Sequence, residues 1–477
     1  MSFTLATSLP SAPAIAAGLV GAAAIVAVLV LAMRRHSEAF PLLVVFALPF
    51  RVPIAADGGS AKLLIPLYLV VGAGAVTYLL ARLQGRAGAP ADAAGTGPAA
   101  VTREPASPRT LAFWLSPKGL QWLLFGAVGL YVLQGSYSSD HTRAAENIAF
   151  FYVPFMVMFA LLRQVHWTRE LLVRCLVVAV ALAVLFAGVG FVEYDRKSLF
   201  LNPKVVAANE YSNYFRVNSV FFDPSIYGRY LALVMIAVTT VVLWSRQRRQ
   251  TLIGAAVLAW LLGGLITSFS QSSIAALLLG LAVLAALRWD VRSTVYCSLL
   301  VAALAGAVVL LAPTSLHFGL KGSGGSASNA TSGRTTLISG GLELFAKRPL
   351  EGYGSGSFEV QYKRHSKAST ENATSASHTI PITVAAEQGL IGLAVYFALL
   401  LSAFFVLFRG AGRAPPRPKP GDTGLLPASP FRPALAAAFA ALVLHTWTYA
   451  DFLEDPFTWA ILAIGISLAA AASSDSF

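Results

Sequence analysis

Apolar runs of about 20 residues, the length that crosses a bilayer as helix, alternate with short polar turns along almost the whole chain. We read about thirteen of them, near 13–33, 38–56, 62–82, 118–137, 144–163, 170–192, 224–245, 250–268, 271–289, 292–313, 380–408, 432–450 and 456–473. The second is weak, because Pro49, Arg51 and Pro53 interrupt it. The first is too long for a signal-peptide core, and Arg34 and Arg35 follow it rather than precede it, so it reads as a span. The predicted fold is all-α, a polytopic transmembrane helical bundle of about 12–13 spans with a long extracytoplasmic loop between the late spans. It divides into N-terminal spans (1–82), a flexible linker (83–117), central spans (118–313) with an outer segment at 193–223, a long loop (314–378), and C-terminal spans (379–477) broken by a second linker at 409–431. Both linkers are rich in Ala, Gly and Pro.

Composition agrees with the pattern. Of 477 residues, 56% are hydrophobic and 12% charged, where a soluble domain carries about 25% charged residues. Cys175 and Cys297 both lie in apolar runs, which argues against a disulfide framework or a thiolate metal site. The net charge of +13 is unevenly spread. Arg34–Arg35, the 83–117 linker, Arg163, Arg169, Arg174, the 246–249 cluster, Arg288, Arg292 and the 409–431 linker fall on one side, which the positive-inside rule makes cytoplasmic. That puts the N-terminus outside and the C-terminus inside; losing the second span would move only the N-terminus.

Two outer segments break the rule. Residues 193–223 and 314–378 are both rich in Lys and Arg, including Arg216 and Arg334. Long loops escape the positive-inside rule, so these charges are either solvated or form a cationic basin for an anionic ligand. Asp223-Pro224 reads as a helix cap with proline at the first helical position. Arg229 follows at the membrane edge, where it snorkels, pairs or binds substrate. Ser377 or His378 can cap the helix that Pro381 opens, and an imidazole held neutral at a helix N-terminus can accept a proton from a hydroxyl. Gly389 and Gly392 lie on one face of that helix, where small residues permit close packing. Gly352-Tyr353-Gly354-Ser355-Gly356 reads as a tight turn, since no Lys-Ser/Thr follows it. No His, Asp or Glu group has metal-ligand spacing.

From Arg216 to about Phe405 the chain resembles the O-antigen ligase and Wzy-type polysaccharide polymerase superfamily. The resemblance rests on Arg216 leading to Phe221-Phe222-Asp223-Pro224 and Gly228, then Ser332-Gly333-Arg334, then Arg348-Pro349-Leu350-Glu351-Gly352-Tyr353-Gly354. It ends on His378, ten residues, Gly389, two residues, Gly392. Two positions depart from the pattern: Gln271 where an arginine is common, and Thr379 where Asn, Ser or Gln is preferred.

The resemblance implies a metal-free, cofactor-free glycosyltransferase of the bacterial inner membrane, working on its periplasmic face in surface polysaccharide biosynthesis. Its donor is a glycan on undecaprenyl diphosphate, and its acceptor a lipid or glycan. Arg216 and Arg334 would hold the diphosphate, with Gln271 and Arg229 as further substrate contacts, and His378 would serve as base. Other polysaccharide-assembly proteins are further expected partners, and nucleic acid is not. Gln271 and Thr379 tilt the expectation from ligase toward polymerase. The alternatives are a polysaccharide or lipid transporter, for which Glu387, Glu193 and Glu146 are the candidate coupling carboxylates, and an inert envelope scaffold.

Overall fold

The computed structural model describes residues 12–56, 59–85, 110–200, 215–245, 247–296, 299, 326–366, 379–412, 430–449 and 451–474. It is an all-α helical bundle. In chain order the helices are α1 (Ala12–Arg35), α2 (Ala39–Ala47), α3 (Ile65–Leu83), α4 (Leu111–Trp114), α5 (Pro117–Gly135), α6 (His141–Asn147), α7 (Val153–Leu162), α8 (Arg169–Arg196), α9 (Pro224–Trp244), α10 (Arg248–Thr267), α11 (Gln271–Arg288), α12 (Ser326–Lys347), α13 (Phe358–Ser366), α14 (Ile380–Phe408), α15 (Phe431–Thr448) and α16 (Pro456–Ser474). Among the described residues, eight helices are long and apolar enough to cross a membrane. The expected span at 292–313 lies mostly outside the described residues, as does Cys297. Cys175 is a free, buried thiol.

The second expected span is corrected. Instead of one helix over 38–56, the chain forms nine-residue α2 and then a hairpin pairing Val52–Ala56 with Gly59–Leu63. Pro49 and Pro53 lack the N–H that would continue the helix ladder. The segment nonetheless runs back along α8. Arg34 Nη2 donates to Gln84 Oε1 at 3.1 Å, so α1 and α3 end side by side and run parallel. The chain must return between them. It starts with Glu38 against Arg174 near the foot of α8. It reaches Phe50, which packs edge-on to Phe186, about 18 Å further along the same helix.

Within the expected 314–378 loop, the described residues 326–366 are more ordered than their sequence pattern suggests. α12 and α13 close a small core of Leu337, Leu344, Phe358, Tyr362 and Ala386. The apolar signal is weak because glycines make part of the contact: a Cβ at Gly340 would lie 2.4 Å from the Tyr362 ring, and one at Gly341 2.5 Å from Ile382. We call the end of the bundle that carries α12 and α13 the capped end. The starts of α9, α11, α14 and α16 meet there. Arg163, Arg174, Arg409 and Arg432 find their partners at the other end.

The cap is fastened to the bundle through a break in α14. Gly389 leaves the helix with φ 64° and ψ −160°. This frees backbone groups that the Pro349–Gly354 loop then satisfies. Leu390 N donates to the Pro349 carbonyl (2.7 Å), and Gly354 N donates to the Glu387 carbonyl (2.8 Å). Gln134 Nε2 from α5 donates to the Gln388 carbonyl at 3.2 Å. Gly352, Gly354 and Gly356 all take positive φ, so the glycine-rich stretch is a run of tight turns. Gly389 therefore serves a broken helix rather than helix-on-helix packing. Gly392 makes room for the Gln388 side chain, which lies 2.1 Å from where its Cβ would be.

Candidate active site

Two polar clusters occupy the capped end. The first is a knot of serines around a histidine. Ser268, Ser270, Ser272 and Ser273 sit where α10 hands over to α11, and Ser270 caps α11 by accepting from Ser273 N. Ser273 Oγ donates to the Ser225 carbonyl of α9 at 3.1 Å. His445 Nε2, from α15, lies 3.3 Å from Ser272 Oγ and 3.2 Å from Ser273 Oγ. The approach needs Gly228, since a Cβ there would stand 2.7 Å from Ser273 Oγ. Asp223 caps α9, its Oδ1 2.6 Å from Ser225 N, with Pro224 at the first helical position.

Arg216 reaches this knot from the preceding loop, its Nε donating to the Ser268 carbonyl at 3.3 Å. Gln271, the first residue of α11, is exposed beside the same turn. These two expected substrate contacts are thus brought together. Arg229 is not with them on the surface. It is 2% exposed and ion-paired to Asp455, Nη2 to Oδ2 at 3.0 Å. It does not snorkel. The contact is an ion pair rather than an aligned hydrogen bond: among the described residues Arg229 Nη1 and Nη2 and Asp455 Oδ2 have no hydrogen-bond partner. Asp455 Oδ1 accepts from Phe457 N at 3.1 Å and so anchors the start of α16.

The second cluster surrounds a cavity of about 130 Å³ between α5, α6, α14 and the 451–454 turn. A π-helical turn at Ile148–Tyr152 brings Tyr152 into its wall, and such turns are frequent at functional sites. Asn147 Nδ2 donates to both Tyr131 Oη (2.8 Å) and Glu454 Oε1 (3.0 Å). Burial pushes the Glu454 carboxyl up to about 7, with Asp451 adding to the rise and Arg143 opposing it. The folded protein then holds this proton more tightly than the unfolded chain. The resulting stability is fully present below the ordinary 4.5 and is lost as pH rises through 7. At about 1.4 kcal/mol per unit, the ceiling is roughly 3 kcal/mol. Thermal denaturation between pH 5 and 8 should show a steeper decline in wild type than in Glu454→Gln; parallel curves would refute the assignment.

The carboxylates named for ion coupling all have protein partners. Glu387 accepts from Gly356 N (2.8 Å) and Phe358 N (3.0 Å), holding the start of α13. Glu193 accepts from Phe200 N (3.1 Å) and Ser219 N (2.7 Å). Glu146 lies 3.6 Å from Arg143.

Arg334 lies in α12, seven residues before Gly341, which meets Ile382 near the start of α14. Its side chain, like all of His378, is outside the described residues. The cap position of α14 falls on Thr379 rather than on Ser377 or His378, and Pro381 occupies the first turn. Sequence reasoning missed His445, Asn147, Tyr131, Glu454 and Asp455. The Asp451-Glu454-Asp455 turn carried the only signal, as acidic residues concentrated between two spans.

Spanning helices, a fastened cap and a polar cavity at one end define a polytopic membrane protein with its candidate site at the capped end. Residues 256–397 match the family model described as Wzy_C: O-Antigen ligase. The match bears out the resemblance to the O-antigen ligase and Wzy-type superfamily, and supports a membrane glycosyl-transferring function in polysaccharide biosynthesis. It runs from mid-α10 through the break in α14. No curated protein matches the chain.

Proposed function

We propose that the protein transfers or polymerises glycan carried on undecaprenyl diphosphate at the periplasmic face of the inner membrane. One observation carries the reading: the Pro-Leu-Glu-Gly-Tyr-Gly loop and the Gly-x-x-Gly helix, distant in sequence, are laced together at Gly389 by backbone hydrogen bonds. The stretches bearing Arg334 and His378 are each continuous with one side of that lacing. In the proposed reaction an acceptor hydroxyl attacks the anomeric carbon, and the bond from that carbon to the diphosphate oxygen breaks. The hydroxyl proton passes to His378. The leaving lipid diphosphate takes the electron pair, and Arg216 and Arg334 offset its growing negative charge. Gln271 donates to the same headgroup without adding charge. Arg229, buried and paired with Asp455, acts as a brace between α9 and α16 rather than as a contact. Neither metal nor cofactor is required by this scheme.

Coupled transport finds less support, because Glu387 and Glu193 each hold two backbone N–H groups and are committed to structure. Reconstitution with the lipid-linked glycan tests the proposal. His378→Ala should lower turnover by about 10²–10⁴-fold with donor binding intact, while Arg334→Ala and Arg216→Ala should weaken donor binding. Full activity in His378→Ala would remove the base assignment. A ladder of products on the carrier marks a polymerase, and a single block on a lipid acceptor marks a ligase.

A further inference from the structure

The cavity between α5, α6 and α14 has a composition that the diphosphate does not explain. Tyr131, Tyr396 and Phe452 supply aromatic wall, while Asp451, Glu454 and the backbone-bonded Glu387 face Arg143, the one lining cation among the described residues. An anionic headgroup would be repelled by that balance, and Arg216, expected to hold it, does not line this space. What such a wall suits is a sugar ring. Its C–H faces lie on aromatic rings, and its hydroxyls need acceptors and donors together, which carboxylates, guanidinium and amide provide. Convergent polar groups in a mostly apolar hollow are the usual form of a ligand site.

A second, independent observation concerns Asn147. It is 4% exposed, lines the cavity and spends both amide protons on Tyr131 and Glu454, while its Oδ1 has no hydrogen-bond partner among the described residues. A buried amide oxygen left unpaired is costly, and a hydroxyl arriving in the cavity can relieve it after a small rotation. The size limits the guest. At about 130 Å³, against roughly 300–1,000 Å³ for sites that hold drug-sized ligands, it takes one ring and not a chain.

We propose that this cavity is a saccharide subsite that takes one neutral sugar ring, held by Glu454, Asp451 and Arg143 between the aromatic walls. The proposal rests on the transferase reading for its biological sense, yet it can be tested without turnover. Full-length protein in detergent is titrated, with no donor present, against a panel of neutral methyl hexosides and N-acetylhexosaminides, and binding is read by saturation-transfer NMR. At least one glycoside should bind wild type. Glu454→Gln and the space-filling Val384→Phe should each weaken that binding tenfold or more. Glu454→Gln is nearly isosteric, so it keeps the test open where Val384→Phe fails to fold. Binding by none of the panel, or equal binding in wild type and Glu454→Gln, overturns the subsite.

Transfer kinetics then assign the ring. A rise in KM for acceptor alone in Glu454→Gln gives the subsite to the acceptor, and a rise for donor alone gives it to the first sugar of the donor. Glycoside binding that depends on Glu454 in a protein that transfers nothing would keep the subsite and sink the transferase reading.

Discussion

Gly389→Ala should destabilise the protein by at least about 3 kcal/mol and abolish function, whereas Gly126→Ala in α5 should be near neutral. At φ 64° and ψ −160° an L side chain is strained by about 1–3 kcal/mol. Beyond that, a Cβ at Gly389 would stand 2.2 Å from the Leu350 carbonyl oxygen and 2.4 Å from its carbon. Those atoms are backbone, pinned by the hydrogen bond from Ile391 N. They cannot swing away without tearing the loop from the helix. At Gly126, by contrast, a Cβ would meet nothing within 4 Å. Thermal denaturation in detergent and size-exclusion profiles of the two variants check this directly. Equal stability would mean that the break in α14 is not what fastens the cap.

Asp455→Ala should cost about 3–5 kcal/mol, the usual consequence of leaving a buried charge alone. Arg229 is 2% exposed and Asp455 1%, so no solvent shell replaces the lost partner. The double variant Arg229→Met, Asp455→Leu should recover most of the loss, because apolar residues of similar volume fill such a site with little penalty. If Arg229 is a brace, the double variant keeps donor binding; a loss of donor binding in a well-folded double variant would return Arg229 to the substrate. Denaturation midpoints and a binding titration with the lipid-linked donor separate the two.

The bundle was legible because membrane spans are local: twenty apolar residues declare a helix whatever surrounds them. The same local rule explains the misreading of 38–56, where hydropathy persists through Pro49 and Pro53 although the helix does not. The order of the α12 and α13 cap was hidden because its contacts use Gly340 and Gly341, which carry no apolar signal. Asp223 declared itself as a cap, since a carboxylate before proline is a local pattern as well. The clusters were not legible. Asn147 and Glu454 lie 307 positions apart, and Ser272 and His445 173 apart, so nothing in either neighbourhood names the other. Arg229 illustrates the limit from the opposite direction. Its depth was evident, but its occupation was decided by a turn more than 200 residues later.

The lacing at Gly389 also determines what can move. Its stitches lie within a helix whose residues from Thr383 to Leu399 wall the cavity, and the turn they hold leads straight into α13. The cap is therefore geared to the chamber: it has no freedom to lift like a lid on a hinge. Any displacement of the 350s must tilt the first turns of α14 and reshape the hollow beneath, so a glycan pressing on the outer surface is felt at the floor.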